Sequence, residues 1–299
     1  MLENRQLQTF IQTAEEGSFS KAARKAYVSP TALIQQINLL EKRLKTKLFL
    51  RSHQGLTLTE AGRSFYKDAK YILQYMQDAV ARAQQAARED VPPVRLGTSL
   101  MTPSQFLLGL WPDIQKKDPD LNIRLVPFDN TPENAKGILS RLGQHIDVVA
   151  GPIDEGFKET YGCAMLELFR APVRVAVSRH HPLAAKDILQ PQDLFGQKFL
   201  LLKRRGFKRI DKLRQTLERK YPQIHIMDFP FYDINVFNQC QSGDFLLMTI
   251  ENWDNVHPLL KTLPVAWDYT IPFGLMYAPS PSPQVQRFLQ AIRALKQEK

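Results

Sequence analysis

Apolar residues recur at helical spacing three times in close succession between positions 7 and 44. Leu7, Phe10, Ile11 and Ala14 follow the i, i+3, i+4, i+7 rhythm that gathers side chains on one helix face. Gly17 and Ser18 interrupt the run, and a short second helix follows with Ala22 and Ala23, small enough to let a neighbouring backbone approach. Ser29 stands where an N-cap is needed and Pro30 at the first helical position, where its missing N–H is no loss. The third helix has two faces. Leu33, Ile37, Leu40 and Leu44 form a stripe to be buried against the first two helices, whereas Thr31, Ile34, Gln35, Asn38 and Lys42 centre roughly 145° away, counting about 100° per residue.

Residues 49–58 alternate around Gly55 and predict a small hairpin. From Thr59 the period changes. Phe65, Ala69, Ile72, Met76, Ala79, Ala83 and Ala86 recur at alternating steps of four and three, a heptad seam in a helix without internal Pro. About 28 residues span roughly 42 Å, longer than a small three-helix unit can cover. The seam therefore asks for a partner helix or for a place in the core of a larger domain. Residues 88–93, ending in Pro92 and Pro93, break this helix and mark a domain boundary. Beyond it, strands at 94–98, 122–128 and 146–150 alternate with helices, the first of which opens at Thr102 with a capping-box pattern. That order implies parallel pairing through crossovers. Strands at 173–178, 199–202, 224–229 and 245–249, with helices near 207–220 and 233–241, make a second group. A last strand at 271–277 and a helix over 283–296 return to the first.

Charge sharpens the reading of the N-terminus. Residues 1–58 hold nine Lys or Arg against four acidic residues, so +5 of the chain's net +10 sits there. Gln35 and Asn38 can pair adenine edges, Thr31 offers a hydroxyl, and Ile34 has an apolar tip that suits a thymine methyl; these are the groups that read a major groove. A merely solvated face would account for the polar residues but not for Ile34. Lys21, Arg24, Lys42 and Arg51 are placed to hold phosphates, with Ser29 and Pro30 at the start of the reading helix. The 49–58 hairpin then reads as the wing of a winged helix-turn-helix. His53 at its tip is either a phosphate contact or an ordinary loop histidine.

Residues 10–23, then Gln36-Ile-Asn-Leu-Leu-Glu41, Leu48-Phe49 with Arg51, and Leu58-Thr-Glu-Ala-Gly62 keep the order and spacing of a known N-terminal signature. In these blocks the chain resembles the LysR-type transcriptional regulators. It departs from them at Pro30-Thr31, at Ile34 in place of a small polar residue, at Lys45 where Gly is usual, and at Gln54 in the wing. The resemblance implies an α+β multidomain protein: a winged helix-turn-helix over 1–58, a linker helix over 59–89, and an effector domain over 90–299. That last domain resembles the periplasmic solute-binding fold. Its two α/β lobes, 94–168 with 269–299 and 169–268, are joined by crossings near 166–172 and 265–272. The resemblance also implies a homodimer paired through the linker helix, a homotetramer built from two such dimers, and a palindromic operator in double-stranded DNA.

A ligand cleft in such a fold lies at the carboxyl ends of the strands. Thr98, Ser99, Leu100, Met101 and Thr102 follow the first strand at a helix start, where hydroxyls and free N–H groups suit an anion such as a carboxylate. The same turn is equally readable as a plain cap. From the second lobe come Lys203, Ile250 and Trp253, with Phe128, Phe231 and Tyr232 as candidate walls, although most of the basic run at 203–214 reads as a solvated face. Catalytic motifs are missing: the chain has no G-x-S-x-G, P-loop, G-x-G-x-x-G or H-E-x-x-H. His180 and His181 lack the companions of a metal site, and Cys163 and Cys240 lack C-x-x-C spacing, so neither an enzyme nor a cofactor is expected. Two Cys in 299 residues, no signal-peptide start and no 18-residue apolar stretch point to the cytoplasm and away from a membrane. The function expected is sequence-specific transcriptional regulation modulated by a small-molecule effector. The alternative is a cytoplasmic solute-binding protein with an N-terminal interaction module.

Overall fold

The computed structural model describes residues 3–52, 55–86, 92–99, 101–102, 105–204, 207–254 and 256–297. Its chain divides into two compact units, 1–90 and 91–299. The first contains α1 (Asn4–Glu16), α2 (Phe19–Lys25), α3 (Pro30–Leu44), the hairpin β1 (Phe49–Ser52) and β2 (Gly55–Leu58), and α4 (Glu60–Ala86). Leu7, Phe10, Ala22, Ala23, Leu33, Ile37 and Leu40 form one core with Leu48, Phe49, Leu56 and Ala69, while Leu44 closes the stripe half-buried. Phe10 sits at the centre, its ring 5.4 Å from Phe49 and 5.2 Å from Phe65.

Glu41 breaks the polarity pattern, being buried in this unit. One carboxylate oxygen accepts hydrogen bonds from the amides of Leu48 (2.8 Å) and Phe49 (3.2 Å), and the other from Lys47 Nζ (2.7 Å). Burial alone would push the carboxyl up; Lys47 and the two amides outweigh it and hold it below the usual glutamate range. The same short segment anchors α4. Thr59 Oγ1 donates to the Lys47 carbonyl and Gly62 N to Thr59 Oγ1, and a Cβ on Gly62 would meet the Leu48 carbonyl oxygen at 2.1 Å. Only a glycine lets the first turn of α4 come so close. The early seam residues Phe65 and Ala69 then pack on the N-terminal core, whereas Ile72, Met76 and Val80 remain exposed.

The second unit carries β3 (Val94–Thr98), α5 (Gln105–Lys117), β4 (Ile123–Pro127), α6 (Pro132–Leu139), β5 (Val148–Pro152), α7 (Phe157–Tyr161) and β6 (Ala164–Ser178). There follow β7 (Lys198–Leu202), α8 (Lys208–Lys220), β8 (His225–Phe229), α9 (Ile234–Gln239), β9 (Leu246–Ile250), β10 (Leu260–Pro264), β11 (Thr270–Tyr277) and α10 (Pro283–Gln297). The strand order is β4-β3-β5-β11-β6-β9-β7-β8, with β10 on β6. Strands β4, β3 and β5 are parallel in one lobe, and β8, β7 and β9 in the other.

One element differs from the sequence expectation in an instructive way. The strand expected at 173–178 starts at Ala164, so the first crossing is itself a continuous strand. β6 pairs with β11 up to Pro172 and with β9 and β10 from Val173 onward. Proline lacks the N–H a ladder requires and so reads as a break, but Pro172 falls where the strand changes partners. β10 and α7 were not expected either.

Glu41→Gln keeps the shape and removes the charge. It is expected to destabilise the N-terminal unit by about 1–3 kcal/mol near neutral pH, read as faster hydrogen exchange at the Leu48 and Phe49 amides. Because the folded carboxyl titrates below its ordinary value, this stabilisation is present above the usual glutamate range and is lost as pH falls through the folded value. The difference between the two proteins should therefore close in acid. A difference independent of pH would remove the ionised carboxylate from the account.

Candidate nucleic-acid interface and interlobe cleft

The outer face of α3 follows from its caps. Ser29 Oγ accepts from Ala32 N at 3.2 Å and Pro30 opens the helix, which fixes its rotation so that Leu33 and Ile37 point inward. Thr31, Gln35, Asn38 and Lys42 are then exposed and Ile34 is half-buried among them. Gln36, between the two faces, accepts from Thr9 Oγ1 at 2.9 Å and ties α3 to α1. Asn38 and Arg51 meet: Arg51 Nη2 donates to Asn38 Oδ1 at 2.7 Å, and the guanidinium lies 5.0 Å over the Phe19 ring. The candidate base reader and the candidate phosphate holder thus satisfy one another in the free protein. His53, the other wing candidate, lies outside the described residues.

Not all the positive charge faces outward unclaimed. Lys25 pairs with Glu16, Lys47 with Glu41, and Arg43 with Glu3. Lys21, Arg24, Lys42 and Lys45 are exposed and have no ion-pair partner among the described residues. These four lie on α2 and at the end of α3, around the polar face. Cations in that arrangement can displace condensed counterions from phosphates on either side of a groove.

In the second unit the carboxyl ends of the parallel strands face each other in pairs. After β3 the chain makes a tight turn in which Ser99 Oγ and Thr102 Oγ1 lie 2.8 Å apart and Thr98 Oγ1 reaches the Thr102 carbonyl at 3.4 Å. Met101 in that turn is buried, and its carbonyl accepts from Trp253 Nε1, which follows β9, at 2.9 Å. After β4, Asn130 Nδ2 donates to the Tyr232 carbonyl beyond β8 at 2.6 Å. After β5, Asp154 Oδ2 accepts from Arg209 N in α8 at 3.3 Å, and the rings of Phe157 and Phe207 meet edge to face 5.0 Å apart.

The sequence candidates for a ligand distribute unevenly over this cleft. Trp253 is 6% exposed and its ring lies 4.8 Å from that of Tyr232, tilted by 53°, filling space instead of lining it. Ile250 is fully buried in the main core; it is the last residue of β9, buried on both faces, and cannot touch a ligand in this state. Phe128 is half-buried on the Val126 cluster, and Lys203 is exposed just past β7. Leu100 lies outside the described residues. Among the described residues no three His, Cys, Asp or Glu gather as a metal site requires. His181 Nδ1 accepts from Leu183 N as a cap. Cys163 and Cys240 are free and buried, and burial pushes both thiols up, Cys240 to about 12. Among the described residues no helix is long and apolar enough to cross a membrane.

Residues 4–63 match the family described as bacterial regulatory helix-turn-helix protein, lysR family, and residues 87–297 match the LysR substrate binding domain. Over 95 residues the chain is 38% identical to the HTH-type transcriptional regulator ClcR of Pseudomonas putida, a stretch covering 32% of each chain. It is 30% identical over 202 residues to a probable RuBisCO transcriptional regulator of Cyanidioschyzon merolae, covering 67% of this chain and 64% of that one. These relatives are transcriptional regulators and not enzymes. Among solved structures, CbnR, a LysR family transcriptional regulator, superposes with a TM-score of 0.68 at 20% identity, covering 98% of this chain and 99% of that chain. Full-length CbnR complexed with its target DNA gives 0.64 at 21%, with the same coverage. At such identities the likeness is one of fold.

The two faces of the interface should respond differently to substitution. Gln35→Ala should relax sequence preference while leaving affinity for random duplex nearly unchanged. Arg51→Ala should weaken all duplexes alike and reduce the slope of log affinity against log salt by about 1. Fluorescence anisotropy titrations over a salt series measure both, and identical behaviour of the two variants would void the division of labour.

Proposed function

Because the chain belongs to the LysR family of DNA-binding transcriptional regulators and carries that family's substrate-binding domain, we propose that Thr31, Ile34, Gln35 and Asn38 read base edges of a palindromic operator. Lys21, Arg24, Lys42 and Arg51 hold its phosphates, with Ser29 and Pro30 at the backbone. The observation that carries this reading is the polar face of α3, exposed and ringed by unclaimed cations. The head is 1–58, the linker 59–89 and the effector domain 90–299. The exposed run Ile72, Met76 and Val80 of α4 pairs two copies into a homodimer. Two dimers assemble into a homotetramer. The protein acts in the cytoplasm and needs no cofactor.

A small-molecule effector binds between the two lobes at Thr98–Thr102, Phe128, Lys203 and Trp253. In this state the lobes are bonded directly to each other at three loop pairs. Each such bond is worth about 0.5–1.5 kcal/mol net, so an effector that prefers the opened arrangement can shift the balance. A carboxylate suits the site, since Ser99, Thr102 and Lys203 offer donors.

Retardation of duplex DNA by the purified chain at low salt tests the first half, and its absence would end the reading. A thermal-shift screen of small carboxylates tests the second. Trp253→Phe keeps an aromatic ring, though a smaller one, and removes the bond to Met101, so an effector that opens the lobes should give a larger shift with this variant than with the unchanged protein. Equal shifts would place the ligand elsewhere.

A further inference from the structure

Tyr27 is 96% exposed and its backbone is left-handed, with φ 54°. Among the described residues only Tyr27 and Lys45 combine a side chain with positive φ, and the two bracket α3. The conformation at 27 has a clear origin. Ala26 ends α2; Val28 N donates to the Ala23 carbonyl at 3.0 Å and Tyr27 N to the Arg24 carbonyl at 3.2 Å. These are the two bonds of a Schellman closure, and half-buried Val28 packs on the core as that motif requires. The closure dictates a left-handed residue at position 27, where glycine or asparagine is the comfortable choice.

Neither packing nor hydrogen bonding within the chain accounts for a tyrosine there. Its side chain has no partner among the described residues. A bulky residue with positive φ is a strained exception, and here a large ring is also left in water. It adjoins in the chain the residues proposed above to face DNA, and the inference rests on that reading: Arg24 and Lys21 lie on the preceding helix, both exposed and without ion pairs among the described residues, and exposed Ser29, Pro30 and Thr31 follow at the start of α3. A phenol is apolar on its faces and carries a donor at its tip, which fits the deoxyribose and phosphate alternation of a duplex backbone.

We propose that Tyr27 is a further DNA contact, its ring set against a deoxyribose and its hydroxyl donating to a phosphate at the edge of the groove that α3 enters. The tyrosine is kept at a position where glycine would make the unit more stable. Stability and binding should therefore move in opposite directions.

The test titrates full-length protein into a mixed-sequence duplex and into a duplex selected from a random pool for tight binding, alongside thermal unfolding. Tyr27→Gly is expected to weaken binding to both duplexes by about tenfold. Because tyrosine carries no charge, the salt slope should stay unchanged. The thermal midpoint should rise, since the strain is gone. Tyr27→Phe, which keeps the ring, should fall between the two. Affinity within about twofold of the unchanged protein would overturn the proposal, as would a loss accompanied by a lower midpoint, which marks a structural role. Full DNA affinity with lost transcriptional output would also overturn it and assign the ring to a protein partner.

Discussion

Both oxygens of the buried Glu41 carboxylate are bound, one by Lys47 Nζ and the other by the amides of Leu48 and Phe49. Because that carboxylate belongs to the last turn of α3, it fixes where the chain goes after the helix ends. Two residues beyond Phe49 comes Arg51, and three residues before Glu41 comes Asn38; the tie at 41 therefore brings those two within hydrogen-bonding distance. The same segment receives α4 through Thr59 and Gly62. Reading helix, wing and long helix all originate from a stretch of three residues, so a change of angle in any of them must pass through it. A buried carboxylate is an expensive anchor if any partner is lost, and its full set of donors is what makes it rigid.

The positive charge of the N-terminal unit divides along the same lines. The nine Lys and Arg of residues 1–58 overstate what a duplex would meet, because Lys25, Arg43 and Lys47 are engaged by Glu16, Glu3 and Glu41. Exposed pairs such as Lys25 with Glu16 contribute little to stability, because water and salt screen them. Their effect is to neutralise three of the unit's acidic residues. What remains uncancelled is concentrated on α2 and the end of α3, where phosphates flanking one groove would lie.

Periodicity made the backbone of this molecule legible and left its polar ties hidden. The inward stripe of α3 and its exposed counterpart are consequences of a 3.6-residue repeat, which any sequence displays openly. Glu41, Gln36 and the Asn38 to Arg51 bond have no such signature, since each depends on a partner brought near by folding alone. The long strand β6 was hidden for the opposite reason: Pro172 is a strong local signal for a break, and only the change of pairing partner at that residue makes it harmless. Ile250 was misplaced by a single residue. Read as the loop after a strand it belongs to a cleft, and as the last residue of β9 it belongs to the core.

The closed cleft constrains the chemistry of anything that opens it. At the three loop pairs the donors that an anion could claim are Trp253 Nε1, Asn130 Nδ2 and the Arg209 amide, the last beside an Arg209–Glu155 ion pair at 3.1 Å. Their acceptors are two main-chain carbonyls, those of Met101 and Tyr232, and the Asp154 carboxylate. A ligand with acceptors alone would satisfy the donors and strand the carbonyls, and a buried carbonyl without a partner is costly. The exchange balances only when the incoming molecule carries donors beside its acceptors, as a hydroxy acid or an amino acid does, or when opening admits water to the carbonyls. Trp253 adds a size requirement, because its indole, packed at a tilt against Tyr232, fills the space between the β3 and β9 loops. An effector seated there must replace a flat apolar body as well as a hydrogen bond, and a small planar molecule bearing a carboxylate and a second polar group meets both demands.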